Sequence, residues 1–168
     1  TLAVCAAAFM LMVAPAYGQL LVILAGAAVG LFLPKTEGEA PSGIPMNPGI
    51  GTKTALTLFA LFAVLLVGLP LLAVQSGHPL VQLTDIFYRV GALVFGGGHI
   101  VLPMLQAEVV PSGIIGNDAF LAGYGMAQAV PGPLFTFAAY LGAMIAPSGS
   151  EIPYAAAALL AIFFSSFL

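Results

Sequence analysis

Asp85, Arg89, His99 and Glu108 stand in a stretch, Val81 to Val110, that is otherwise almost wholly apolar. A charged group removed from water is costly unless paired, so each of these is a functional candidate whose partner has to be found. Asp85 and Arg89 are four residues apart and share a face of any helix that carries them. That spacing favours an ion pair, with contact between Arg89 and a bound anion as the other reading. His99 directly follows Gly96-Gly97-Gly98. With a reference pKa of about 6.5, it suits either proton or hydrogen-bond donation or a neutral, packed role. Glu108 is a candidate for proton coupling, but its place near Pro111-Ser112-Gly113 favours an interfacial carboxylate. Asp118 reads as a helix N-cap, and His78, beside Pro79, as a solvated turn residue.

Two interruptions of the apolar pattern lie among these residues. Gly96-Gly97-Gly98 parts the stretch 81–95 from 100–110, and Pro131-Gly132-Pro133 parts 118–130 from 134–146. Glycine is a poor helix former, at about 1 kcal/mol per residue relative to alanine. In lipid, non-helical backbone is tolerated only when buried in protein or lining a water-filled cavity. Transporters use such breaks to aim helix ends at a substrate near the midplane. A helix resuming after the glycines would point the amides of Gly98, His99 and Ile100 and a positive dipole end into the break, which suits an anion. The amides of Leu134 and Phe135 would make a weaker second nest, because the prolines donate nothing. Gln128 and Thr136 stand about one turn either side of the second break and could add hydrogen bonds. The competing reading is that both breaks are packing kinks. Each broken pair is either a re-entrant hairpin or one kinked crossing, and the spacing leaves both open.

The elements that must position these groups are set by composition. Of 168 residues, 61% are hydrophobic and 5% charged, against about 25% charged in an ordinary soluble domain. So little charge cannot cover a water-facing surface, and the expected fold is an all-α, polytopic integral membrane protein with two broken or re-entrant segments. The basic residues Lys35, Lys53 and Arg89 are too few for a nucleic-acid face. Cys5 stands alone, which excludes an internal disulfide and a multi-cysteine metal site. No metal or cofactor is expected. Residues 2–14 and 17–33 read as spans, with Gly26 and Gly30 spaced for close helix packing. The Pro/Gly-rich segment 35–53 reads as a polar linker, weakly cytoplasmic by its flanking lysines, and 54–74 as a clean span. The expected division is therefore 1–34, 35–53 and 54–168. Both ends read as cut helices, and the basic flank of a signal peptide is absent before Ala14-Pro15-Ala16. Without tryptophan, interfacial anchoring falls to Tyr17, Tyr88, Tyr124, Tyr140 and Tyr154.

The order Phe95-Gly96-Gly97-Gly98-His99-Ile100-Val101-Leu102-Pro103, then Gln106-Ala107-Glu108, then Ala127-Gln128-Ala129-Val130-Pro131-Gly132-Pro133-Leu134-Phe135-Thr136 closely resembles the second homologous half of the chromate ion transporter family. The likeness is dense over 87–142, and the stretch before Pro34 looks like the tail of the first half. The resemblance implies an inverted-repeat transporter of the bacterial inner membrane, exporting chromate and conferring chromate resistance, with sulfate as a similar oxyanion. It further implies that the chain is truncated and needs its missing half, with a second copy as a possible further partner. Carried onto this sequence, the family motifs place the anion at Gly96, Gly97, Gly98, His99, Gln128, Pro131, Gly132, Pro133 and Thr136. Arg89, Asp85 and Glu108 are the charge partners. An intramembrane enzyme using His99, Glu108 and Ser112 is the rival from another class. The sequence has neither a G-x-S-x-G nor an H-E-x-x-H setting for it. A non-transporting scaffold is the remaining alternative, and it would leave the breaks without purpose.

Overall fold

A computed structural model describes residues 51–94 and 98–168, together with 25, 26, 28 and 29, and gives only the backbone of 98 and 99. The expected spans at 2–14 and 17–33, the polar linker, Cys5, Tyr17, Gly30, Gly96 and Gly97 lie outside these residues or only partly within them. The chain divides into two compact units, Thr1–Gly49 and Ile50–Leu168. In the first, the four described residues are helical. The second contains six α-helices and a 3-10 turn among its described residues, and no strand.

Helix α1 (Thr52–Ser76) has 25 residues, about 37 Å of rise, enough to cross a hydrocarbon core of about 30 Å with some tilt. Its mean hydropathy reaches 2.6, and among the described residues it is the one helix long and apolar enough to cross a membrane. Leu56, Phe59, Val64, Val67 and Val74 are exposed on it, whereas Phe62, Leu65, Leu66 and Leu69 pack on the core. Gly77 ends the helix with φ 60° and returns its N–H to the carbonyl of Ala73, a backbone conformation that glycine adopts without penalty. Helix α2 (Pro79–Leu93) starts at once, with Pro79 in its first turn. His78 is more than a solvated turn residue. It is the N-cap, and its Nδ1 accepts from the Leu80 amide at 3.2 Å.

After the glycines, α3 spans Gly98–Val109 and α4 spans Asn117–Ala129. Asp118 does not cap α4, because Gly116 holds that position and Asp118 stands inside the first turn. There its charge can still favour the helix dipole. The second break is followed by a 3-10 turn, Leu134–Thr136, then by α5 (Phe137–Ile145) and α6 (Glu151–Phe167).

Both broken segments are helical hairpins. Arg89 on α2 bonds Glu108 on α3 at 2.8 Å, although the two are nineteen residues apart. A kinked but through-going helix would separate them by about 28 Å. Likewise the Tyr140 hydroxyl on α5 donates to the carbonyl of Ala119 on α4 at 3.1 Å across twenty-one residues, where a continuous helix would place about 31 Å. The chain doubles back at each interruption.

Helix α6 binds the two hairpins together. Val101, Leu105 and Val109 form the buried stripe of α3 at four-residue spacing, while Tyr154, Ala158, Ala161 and Ile162 line α6. A Cβ on Gly91 of α2 would lie 2.7 Å from Ser165 Oγ and would overlap the Ile162 carbonyl oxygen. One on Gly142 of α5 would lie 2.6 Å from the Tyr154 carbonyl oxygen and 2.8 Å from Ala158 Cβ. Close approach at small residues is how apolar helices gain contact where lipid already satisfies their side chains. Two tyrosines expected as interfacial anchors are used here instead. Tyr88 is 2% exposed and Tyr154 7%, and the Tyr88 hydroxyl bonds the carbonyl of Phe62 at 3.2 Å. Each ring fills a helix junction, and for Tyr88 the polar tip is satisfied inside.

The Gly142→Ala variant should lose about 1–3 kcal/mol of stability, because the clash is with backbone and α5 must move away from α6. Gly68→Ala in α1, where an added Cβ meets nothing within 4 Å, should be neutral or stabilising by up to about 1 kcal/mol. Thermal denaturation of both in detergent checks the pair.

Candidate functional site

The segments that follow the two breaks share a crevice. Val101 and Leu102, in the first turns of α3, line one crevice with Tyr124 of α4 and with Leu134 and Phe137, which follow the second break. Helix α6 sets their common level, since Ile162 lies against Gly91 near the end of α2 and Phe163 packs on Phe135 of the 3-10 turn, ring centroids 5.6 Å apart. The first two turns of α3 and the helical segment after the second break therefore border the same small space. The first amides of a helix have no acceptor within it, and its positive dipole end lies there. Among the described residues neither the Leu134 nor the Phe135 amide has a backbone acceptor, whereas Thr136 and Phe137 turn theirs back to Pro133 and to Leu134 and Phe135. The crevice measures about 10 Å3, room for about one water.

An aromatic cluster beneath the second break holds it in place, and it was missed by reasoning that looked only for polar groups. Phe120 meets Phe137 edge-on at 5.2 Å and 78°, and Phe137 stacks on Tyr140 at 5.8 Å. The Tyr140 ring lies where a Cβ of Gly123 would be. The signal was available in the four-residue step from Phe120 to Tyr124 and the three-residue step from Phe137 to Tyr140, both helical spacings.

Of the sequence-derived site residues, Pro131, Gly132, Pro133, Gln128 and Thr136 are exposed around the second break. Gln128 Nε2 donates to the Tyr124 hydroxyl, and Thr136 Oγ1 donates to the Pro133 carbonyl at 2.9 Å. Both side chains keep oxygen acceptors, and Gln128 keeps a second N–H. Gly98 and His99 begin α3, and Gly96 and Gly97 lie outside the described residues. Pro103, within α3, has no N–H to offer the carbonyl of residue 99, so one acceptor near the break is freed as well.

Arg89, Asp85 and Glu108 form a second group on the α2–α3 hairpin. Arg89 Nη2 donates to Asp85 Oδ2 at 3.0 Å, and Nη1 donates to Glu108 Oε1 at 2.8 Å, with Nη2 3.5 Å from Oε2. The three differ in access to solvent. The Asp85 side chain is 9% exposed, Arg89 30% and Glu108 36%. Asp85 Oδ1 and Arg89 Nε are buried without a partner among the described residues. Counting each group as ionised, two carboxylates face one guanidinium. Arg89 stands one turn, about 6 Å, before the end of α2, so the group lies between the first break and the open end of the hairpin.

Comparison with known proteins places this geometry. Residues 81–168, just over half of the chain, match the profile of the family described as Chromate transporter. Over 70 residues the chain is 42% identical to the uncharacterized transporter YwrB of Bacillus subtilis, an alignment covering 40% of this chain and 36% of that protein. Over 109 residues it is 30% identical to a protein of Synechococcus elongatus named "Probable chromate transport protein", covering 61% of this chain and 27% of that one. The chain thus spans about a third of the length of the curated relatives it matches. No solved structure matches it.

Removing Arg89 would leave Asp85 as an uncompensated, nearly buried carboxylate. Arg89→Ala is expected to lose about 2–3 kcal/mol, below the roughly 3–5 kcal/mol of a fully buried pair because solvent still reaches two of the three groups. Glu108→Gln should change stability by less than about 1 kcal/mol. Equal losses in the two variants, measured by thermal denaturation, would contradict the division into a buried and an accessible carboxylate.

Proposed function

The chain belongs to the chromate transporter family, and on that premise we propose that it forms part of a machine for transmembrane export of chromate, which binds the oxyanion between its two helix breaks near the bilayer midplane. The observation that supports this reading is that the first turns of α3 and the segment after the second break line one crevice. A dianion there meets oriented amide donors and two positive dipole ends, without a basic side chain that would hold it too tightly to release. The amides of Gly98, His99 and Ile100 supply the first nest. Leu134 and Phe135 supply the second, with Gln128 and Thr136 as flanking hydrogen-bonding groups. The crevice must widen before an oxyanion enters, and Leu102 and Leu134 are the side chains that must withdraw.

The export direction is consistent with the energetics of a bacterial inner membrane. An inside-negative potential of 100 mV is worth about 2.3 kcal/mol per charge, so a departing dianion gains about 4.6 kcal/mol, more than a thousandfold in gradient. No coupling ion is required by this arithmetic. The breaks supply binding and orientation and no nucleophile, which favours carriage over catalysis. Transport by the whole protein further draws on the homologous half related to this one by inverted topology, with a second copy as a further partner. Sulfate, another tetrahedral dianion, is the competitor that the same donors would accept.

Everted membrane vesicles containing the complete protein should take up labelled chromate when energised, and excess sulfate should suppress the uptake. Gly132→Ala is the discriminating variant, because an added Cβ meets nothing within 4 Å and the fold should tolerate it. Crowding of the second nest is expected to lower kcat/KM roughly tenfold, the equivalent of one good hydrogen bond. Normal transport by Gly132→Ala would remove the second break from the binding site. Absence of uptake in energised vesicles holding folded protein would remove chromate export.

A further inference from the structure

The Arg89 cluster is not needed to build either break, yet it places the one described guanidinium on the same hairpin, with unequal carboxylates on its two sides. Asp85 shares a helix with Arg89 and is nine-tenths buried. Glu108 comes from the other arm of the hairpin, is 36% exposed, and occupies the outer edge of the guanidinium with both oxygens within 3.5 Å. That edge is the fork that binds carboxylates, phosphates and similar oxyanions two oxygens at a time. One more donor, Arg89 Nε, has no acceptor among the described residues. The guanidinium is therefore held at Nη2 by a carboxylate that is hard to displace and covered along its Nη edge by one that solvent can reach.

We propose that Glu108 is an internal stand-in for the transported oxyanion. It closes Arg89 when no anion is near, and an incoming tetrahedral dianion displaces it to take the Nη edge of Arg89 on the way to the breaks. Asp85 is a positioning residue that keeps the guanidinium oriented throughout. This inference rests on the proposed transport of an oxyanion, but it depends only on oxyanion geometry and not on chromate in particular. Two features follow from the chemistry. A carboxylate that occupies the fork excludes monovalent halides, which cannot replace a two-oxygen contact, so the pair selects for oxyanions. Such a pair also lowers apparent affinity by the fraction of time it is closed. A pair closed for nine-tenths of the time weakens binding about tenfold.

The measurement is equilibrium binding of labelled chromate and of labelled sulfate to the purified complete protein, comparing wild type with Glu108→Gln and Glu108→Asp. Glutamine removes the charge. Aspartate keeps the charge but, being one methylene shorter, withdraws it from Arg89. Release of Arg89 predicts that both variants bind the oxyanion about five- to tenfold more tightly, and that vesicle uptake shows the same fall in KM. Tighter binding by Glu108→Gln alone, with Glu108→Asp like wild type, would show a general charge effect and overturn the stand-in. Unchanged or weaker binding in both would overturn it as well. A wild type that binds sulfate and not chromate would sink chromate as substrate while leaving this inference to be decided by the variants. A wild type that binds neither would sink both readings.

Discussion

Gly91 and Gly142 carry no side chain at the places where α6 passes closest to α2 and α5, and the arrangement of both breaks depends on that closeness. Apolar helices in lipid gain little from burying leucine, because the surrounding tails are as apolar as the core. What holds them is contact at short range, and the Ile162 and Tyr154 carbonyls approach within reach of these glycines. With α6 seated against both hairpins, Ile162 supports the end of α2 and Phe163 supports the 3-10 turn through Phe135. Segments that follow two interruptions more than thirty residues apart in the chain are thereby set against the same crevice.

A second constraint acts on the polar groups. Backbone amides and carbonyls released by a helix break have to be satisfied or made useful, since leaving them bare in lipid costs several kcal/mol each. The second break does both. Thr136 turns its hydroxyl and its amide onto the Pro133 carbonyl, while the Leu134 and Phe135 amides have no backbone acceptor among the described residues. The aromatic cluster of Phe120, Tyr124, Phe137 and Tyr140 makes this affordable by packing rigidly beneath the turn. The first hairpin is fastened differently, its two arms joined by the Arg89–Glu108 ion pair.

In the proposed carrier the two groups would divide the labour. Amides and dipole ends would attract an oxyanion without binding it permanently, and the Arg89 guanidinium would provide the stronger contact, for which Glu108 competes. Each group would then be weak at rest, one because the crevice is small and the other because Glu108 occupies it. A transporter gains from that, since a site that binds substrate too well releases it too slowly.

Much of this was legible in the residues. The low charge fixed the membrane class, the glycine run and the proline-glycine-proline run located the breaks, and the four-residue step from Asp85 to Arg89 put those two on one face. The helix ends were less legible. Asp118 looked like a cap while Gly116 took the position, and His78 looked idle while it capped α2, because capping depends on local backbone angles that residue type only biases. Tyrosines at the ends of apolar runs resembled interfacial anchors, yet Tyr88 and Tyr154 turned inward once a carbonyl or a helix junction was available to them. Whether the breaks are kinks or reversals depends on contacts between residues about twenty apart, Arg89 with Glu108 and Tyr140 with Ala119. Periodicity carries no information at that range. By itself the sequence determined which segments are apolar, where the backbone must be irregular and which side chains carry charge, because those follow from composition and short spacing. Only the tertiary structure decided that the chain folds back at both breaks, that α6 packs on both hairpins and that Glu108 closes on Arg89, because each of these is a contact between helices distant in sequence.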